Sequence, residues 1–315
     1  MCDSATEKRG VYEGEVAANE LLCRKHWRLR LRVTALPPSR PGQFVQLQCR
    51  PIREQVSARE VEWADGQLPQ FTQPELTDKE PLLRRPLSIG GRRDTGATAE
   101  LDLIYRAVGT GTTWLSGVRA GDRLSVIGPL GNAFPVSQHK PRAALVGGGV
   151  GIPPMLCLAD AIGRGKQATA FCGVRSQHLL PLTLTGKPDA DGRPGACAEE
   201  FARSGATTVV ASDDGTVGYE GLVTDALLHW LRAEAVPADD LVVYACGPEP
   251  MMRAAADLCI ELGIECYVSL ERIMACGMGT CQSCVVKIRD DSRQGWAYKL
   301  CCSDGPVFPA DAVVW

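Results

Sequence analysis

The sequence predicts a multi-domain β and α/β protein: an antiparallel β-barrel, then a parallel α/β domain, then a small C-terminal module built around cysteines. Three observations carry this expectation. Short segments of period-two hydrophobicity fill the chain to about residue 136, a rhythm of apolar strand, glycine turn and helix begins at Arg142, and CGMGTCQSC packs three cysteines into residues 276–284. Boundaries are expected at 1–140, 141–265 and 266–315. A chain of 315 residues, 45% of them hydrophobic, has apolar material for more than one core.

In the first region WRLRLRV (27–33) alternates apolar with basic residues, as a strand with one wet face does. Arg28, Arg30 and Arg32 are therefore expected on a solvated face. QFVQLQC, PLSI, AELDLIYRAV and DRLSVIG continue the series, punctuated by Pro41-Gly42, Gly90-Gly91 and Ala120-Gly121. Many short strands with few long helices favour a small antiparallel barrel. Residues 51–81 are polar, carry four prolines and keep no period, so they read as a loop insertion.

From Arg142 the units are AALVGGGVG before PPMLCLADAI, TTVVAS before GLVTDALLHWLRAEA, and LVVYACG before PEPMMRAAADLCIELG. Strand, turn and helix in this order build parallel sheets. The tail from 266 is too short for a core of its own and is expected to depend on a ligated centre.

Composition excludes several functions. Lys and Arg number 34 against 37 Asp and Glu, intermixed, which leaves no basic face for nucleic acid. The polar start MCDSATEKRG is no secretory signal, and no stretch approaches the ~20 apolar residues of a membrane span, so a cytoplasmic setting is expected. Fourteen cysteines in so long a chain point to free thiols and metal ligation rather than a disulfide scaffold. Cys23, Cys157 and Cys259 sit among apolar neighbours and are expected to be buried.

The spacing Cys276-x4-Cys281-x2-Cys284, followed by a fourth cysteine at 301 or 302, is the plant-type arrangement for a [2Fe-2S] cluster. Gly277 and Gly279 let the loop curl and aim N–H groups at sulfur. A structural zinc ion is the rival, but zinc sites usually bring paired C-x2-C knuckles, and here there is one.

GGGVGIPP (147–154) ends a strand and opens a helix, where free N–H groups and the helix dipole favour phosphate. Gly147, Gly148, Gly149 and Gly151 allow close backbone approach, and Pro153 or Pro154 suits a first helical turn. Cys246, Gly247, Pro248 and Met251 of CGPEPMM form a second strand-end turn. Asp213 and Asp214 either meet ribose hydroxyls, which would favour NAD, or simply make an Asp-Gly turn. In the barrel region RRPLSI offers a guanidinium for phosphate and a hydroxyl at Ser88, and GTGTTWLS (109–116) is a glycine-rich helix entry. Trp315 either docks a partner or tucks against its own barrel.

Taken in order from about residue 11 to 308, RRPLSI, LIYRAVGTGT, GPLGNAF, LVGGGVGIPPM, ASDDG, CGPEPMM, CGMGTCQSC and CSDGPVF resemble the ferredoxin reductase superfamily, most closely its dihydroorotate dehydrogenase electron-transfer subunits. The resemblance implies an FAD-binding barrel, an NAD(P)-binding domain and a [2Fe-2S] module, with a partner catalytic subunit that carries FMN, in a heterotetramer. It places FAD on Arg85, Pro86, Leu87, Ser88, Ile104, Tyr105, Arg106, Gly111 and Thr112, and the nicotinamide nucleotide on the turns at 147–153 and 246–248. It selects Cys302 as the fourth ligand beside Cys276, Cys281 and Cys284. The implied activity is an NAD-linked oxidoreductase of pyrimidine biosynthesis in which cofactors carry the chemistry and no side chain need act as catalytic acid, base or nucleophile. An NAD(P)H:ferredoxin or sulfide oxidoreductase subunit shares this architecture, and a zinc-bound nucleotide-sensing module is the reading from another class.

Overall fold

The computed structural model describes residues 10–52, 66, 81–137 and 139–315. Its first half contains β1 (Gly10–Cys23), β2 (His26–Thr34), β3 (Phe44–Leu47), β4 (Arg85–Ser88), β5 (Gly91–Thr95), β6 (Thr98–Arg106), the short helix α1 (Thr110–Leu115) and β7 (Arg123–Leu130). These strands form one antiparallel sheet in the order β4-β3-β7-β1-β2-β6-β5. The two outermost strands, β4 and β5, are joined by only Ile89 and Gly90, so the sheet has to curl round on itself. The Gly90 N–H accordingly donates to the Asp102 carbonyl of β6 at 2.9 Å.

The alternation expected for 27–33 holds, since Leu29, Leu31 and Val33 are fully buried in the barrel core. Arg30 and Arg32 point outward and pair with Glu20 and Glu100. Arg28 departs from the expectation of a solvated face. Its side chain is 13% exposed and lies 3.3 Å from Asp102 and 3.6 Å from Glu200, because the second half of the molecule covers that end of β2. Strand β5 has a polar sequence and no apolar face; pairing with β6, not periodicity, makes it a strand. The insertion at 53–65 and 67–80 lies outside the described residues.

The second half runs β8 (Arg142–Gly148), α2 (Ile152–Ile162), β9 (Gln167–Val174), α3 (Glu199–Ser204), β10 (Thr207–Ser212), β11 (Tyr219–Glu220), α4 (Val223–Glu234), β12 (Leu241–Cys246), α5 (Glu249–Glu261) and β13 (Glu265–Ser269). The hairpin β14 (Val285–Arg289) and β15 (Trp296–Leu300) and the edge strand β16 (Val307–Pro309) complete the chain. The sheet order β11-β10-β9-β8-β12-β13-β16 is parallel except for β16, and it reverses direction at β8. Ligands in such sheets bind outside the carboxyl ends of the strands at that reversal. Both glycine turns lie there.

One core of this half lies between the sheet and α2, and the other lies under α4 and α5. The second core continues into the tail through Val286, Ile288, Cys302, Phe308 and Val313. The tail therefore borrows a core from its neighbour, and β16 extends the sheet. Trp315 is half-buried against the same cluster. Cys259 is buried as expected, but Cys23 and Cys157 are only half-buried. No helix among the described residues is long and apolar enough to cross a membrane.

Candidate functional site: two joined cavities and a loop of thiols

A cavity of about 390 Å³ opens where the barrel meets the sheet. Its wall brings together Pro86, Leu87, Ser88, Ile104, Tyr105, Arg106 and Thr112 from the barrel with Cys246 and Ser269 from the strand ends. Phe44, Leu270, Met274 and Pro306 supply further apolar wall, and Ser88, Arg106 and Glu271 supply polar points. A flat, mostly apolar ring with a polar edge fits such a lining. Arg85 and Gly111 stand outside it: a Cβ at Gly111 would come 2.8 Å from the Arg85 Nε, so the guanidinium lies directly over the start of α1. The Thr112 hydroxyl is engaged locally, accepting from the N–H groups of Val108 and Gly109.

A second cavity of about 560 Å³ lies over the strand ends and contains Gly148, Gly149, Pro248 and Met251 together with Asp213 and Arg175. The two cavities share Arg106, Val150 and Glu271, so they meet. Gly147, Gly151, Pro153 and Gly247 serve packing beneath the second cavity instead of lining it. A Cβ at Gly151 would lie 2.1 Å from the Cys246 carbonyl oxygen, and one at Gly247 would lie 3.0 Å from the Gly148 Cα. The two predicted turns thus interlock, and Pro153 rests against Gly90 of the barrel. Asp213 and Asp214 both line an adjoining cavity, but only Asp213 also faces this one, whereas Asp214 accepts from the Thr216 hydroxyl at 2.6 Å and closes the turn.

Cys276, Cys281 and Cys284 lie in the loop before β14, and Cys302 follows β15. The loop winds tightly because Gly277, Gly279 and Gln282 take φ of +73°, +89° and +56°. The amides of Met278 and Cys281 both donate to Cys276 Sγ at 3.4 Å, and the Gly279 amide donates to the Cys302 thiol. Cys281 is tied to Cys276 through its amide, Cys302 interacts with Cys284, and Cys276 stands near enough to Cys302 to act on its charge. Hydrogen bonding from the Ser283 hydroxyl and nearby amides draws the exposed Cys281 thiol down to about 6, which favours the thiolate. Burial, and then Cys284, push Cys302 up to about 11. Cys301 is fully buried, its thiol pushed up to about 12 by burial, and its amide donates to the Cys284 carbonyl.

The described residues contain no group of three His, Cys, Asp or Glu placed to hold one ion. Four soft cysteine sulfurs, with loop N–H groups donating to Cys276, are the donor chemistry a [2Fe-2S] cluster takes, and Cys276, Cys281, Cys284 and Cys302 would hold it.

Sequence reasoning missed Arg175 and Glu271. The run CGVRS at the end of β9 is a third strand-end turn and could have revealed Arg175; Glu271 has no local signal beyond following β13. Glu271 opens on both cavities and keeps an exposed edge, while desolvation by the protein around it raises its carboxyl above the usual range.

Residues 271–314 match the model of the iron-sulfur cluster binding domain of dihydroorotate dehydrogenase B, and 145–257 match the oxidoreductase NAD-binding domain. The chain is 40% identical over 249 residues to the dihydroorotate dehydrogenase B (NAD(+)) electron transfer subunit of Geobacillus sp. (strain WCH70), covering 78% of this chain and 86% of that protein. It belongs to the family of dihydroorotate dehydrogenase B electron transfer subunits. The subunit of that name from Geobacillus kaustophilus (strain HTA426) is 39% identical over 238 residues, covering 75% and 81% of the two chains. Among solved structures, the NADH-dependent reduced ferredoxin-NADP oxidoreductase aligns over 96% of this chain and 90% of its own with a TM-score of 0.71 and 25% identity. The match to the iron-sulfur cluster binding domain begins at Glu271, where the two cavities meet.

Proposed function

We propose that this chain is the electron transfer subunit of an NAD-linked dihydroorotate dehydrogenase, an oxidoreductase component that links NAD(H), through FAD and a [2Fe-2S] cluster, to the FMN of a partner catalytic subunit in pyrimidine biosynthesis. The observation that carries this reading is the line-up of the site. The strand-end cavity meets the barrel cavity at Arg106, Val150 and Glu271, and the barrel cavity in turn ends on Arg272 and Met274, just before Cys276. Electrons would have a path along that line, in either direction.

In this reading the ring of FAD lies against Pro86–Ser88, Ile104–Arg106 and Thr112, with Arg85 beside Gly111 placed for its pyrophosphate. NAD(H) occupies the cavity of Gly148, Gly149, Pro248 and Met251, held from beneath by Gly147, Gly151, Pro153, Cys246 and Gly247. Asp213 is placed to accept from a ribose hydroxyl, which favours NAD. Cys276, Cys281, Cys284 and Cys302 hold the cluster. When bound, flavin and cluster supply the redox chemistry, a two-electron carrier next to a one-electron carrier. The protein positions them, excludes water with Phe44, Leu270 and Met274, and keeps at Glu271 a carboxyl able to hold a proton at the junction. The modules for FAD, NAD and cluster correspond to 1–140, 141–265 and 266–315.

The exposed Cys281 puts the cluster end near the surface, where a catalytic subunit can dock to form a heterotetramer. Every cysteine among the described residues is a free thiol, which supports a cytoplasmic setting. Replacing Cys281 by Ser tests the order of carriers. Electron exchange with the catalytic subunit should be lost while NADH still reduces an artificial dye through FAD. Loss of dye reduction in a folded, FAD-loaded variant would overturn the order.

A further inference from the structure

Beside the line of carriers lies a buried polar residue that the line does not explain. Gln46 sits on β3, opposite Pro86 of β4 on one side and Ile127 of β7 on the other, directly behind the proposed flavin wall. Its side chain is 0% exposed, yet among the described residues neither Nε2 nor Oε1 has a hydrogen-bond partner. Its strand neighbours Phe44, Val45 and Leu47 are all buried and apolar, so an apolar residue would fit here without that loss. A fully buried amide with no partner indicates a partner still to be supplied.

What the amide faces is the thiol loop. A Cβ at Gly277 would lie 2.4 Å from Gln46 Nε2 and 2.5 Å from its Cδ, so the amide fills the space a side chain at 277 would need. Gly277 directly follows Cys276, whose sulfur already receives the amides of Met278 and Cys281. Gln46 thus reaches the cluster loop from the flavin barrel, where its Nε2 can add a donor to those of the loop itself.

We propose that Gln46 is a positioning residue for the iron–sulfur centre, its Nε2–H donating to sulfur on the Cys276 side. The proposal rests on the cluster assignment made above. Donors to cluster sulfur stabilise the reduced, more negative state, so this contact raises the reduction potential and ties the loop to the wall of the flavin site.

The test uses the assembled complex with all cofactors. Gln46→Met keeps the length of the side chain and removes the amide. The variant should retain full iron and show about a tenfold shift toward the oxidised centre, a fall of roughly 59 mV for a one-electron couple, in an EPR-monitored titration. Full iron with an unchanged potential and spectrum would overturn the proposal. If the variant loses its iron, pulsed EPR on protein labelled with 15N in glutamine side chains decides the matter, in a Gln282→Gly background that removes the only glutamine of the loop. Glycine suits position 282 because φ there is +56°. A 15N coupling to the reduced centre supports the contact, and its absence overturns it. A wild-type complex without iron would instead bring down the cluster assignment, and the Gln46 proposal with it.

Discussion

The turn at 147–151 and the loop at 276–284 are both rich in glycine, but for different physical reasons. Gly151 has an ordinary right-handed conformation, φ −82° and ψ −8°, so conformation does not demand glycine there. Space does, because the Cys246 carbonyl oxygen stands 2.1 Å from where a Cβ would be. Gly279 is the reverse: φ is +89°, and a Cβ would meet only ordinary contacts with Ser303 from 3.4 Å outward. Gly277 combines the two, with φ +73° and the Gln46 side chain in the way. Within the 147–151 turn Gly149 also serves conformation, with φ +54° and open space around it, but Gly151 brings two strand ends together, whereas Gly279 lets the thiol loop wind tightly.

Substitutions by alanine should break the comparison in graded steps. Gly151→Ala forces a methyl into fixed backbone and should have the largest effect, about 3 kcal/mol at the top of the overpacking range, with NADH affinity lost alongside stability in a urea titration. Gly277→Ala should cost ~2 kcal/mol, part from the left-handed conformation and part from displacing Gln46. The two parts are separable: in a Gln46→Ala background the added penalty of Gly277→Ala should shrink, and strict additivity would show that the contact has no energetic weight. Gly279→Ala should cost least, ~1 kcal/mol, lowering iron content in a colorimetric assay while leaving NADH reduction of the flavin unchanged. Should Gly279→Ala weaken NADH binding as much as Gly151→Ala, the division between space and conformation would fail.

Much of this architecture was legible because it repeats over short distances. The alternation at 27–33 put Leu29, Leu31 and Val33 inside the barrel, and the strand-turn-helix rhythm marked α2, α4 and α5. Strand β5 was not legible, since GRRDT has no apolar face and owes its pairing to β6. The candidate site was legible in its motifs but not in its division of labour. Gly148, Gly149 and Met251 line a cavity while Gly147 and Gly151 pack beneath it, and Asp213 and Asp214 part ways although they are neighbours in the chain.

By itself, then, the sequence determined which segments form most of the strands and the longer helices, where the glycine turns fall and that Cys276, Cys281 and Cys284 share one loop. Each of these follows from spacing along a few residues of backbone, whose geometry is the same in any protein. Only the tertiary structure decided that Arg28 is covered by the second half of the molecule, that Glu271 stands where two cavities meet, and that Gln46 abuts Gly277. Those outcomes join residues far apart in the chain, and they depend on how three units pack against one another, which no local period encodes.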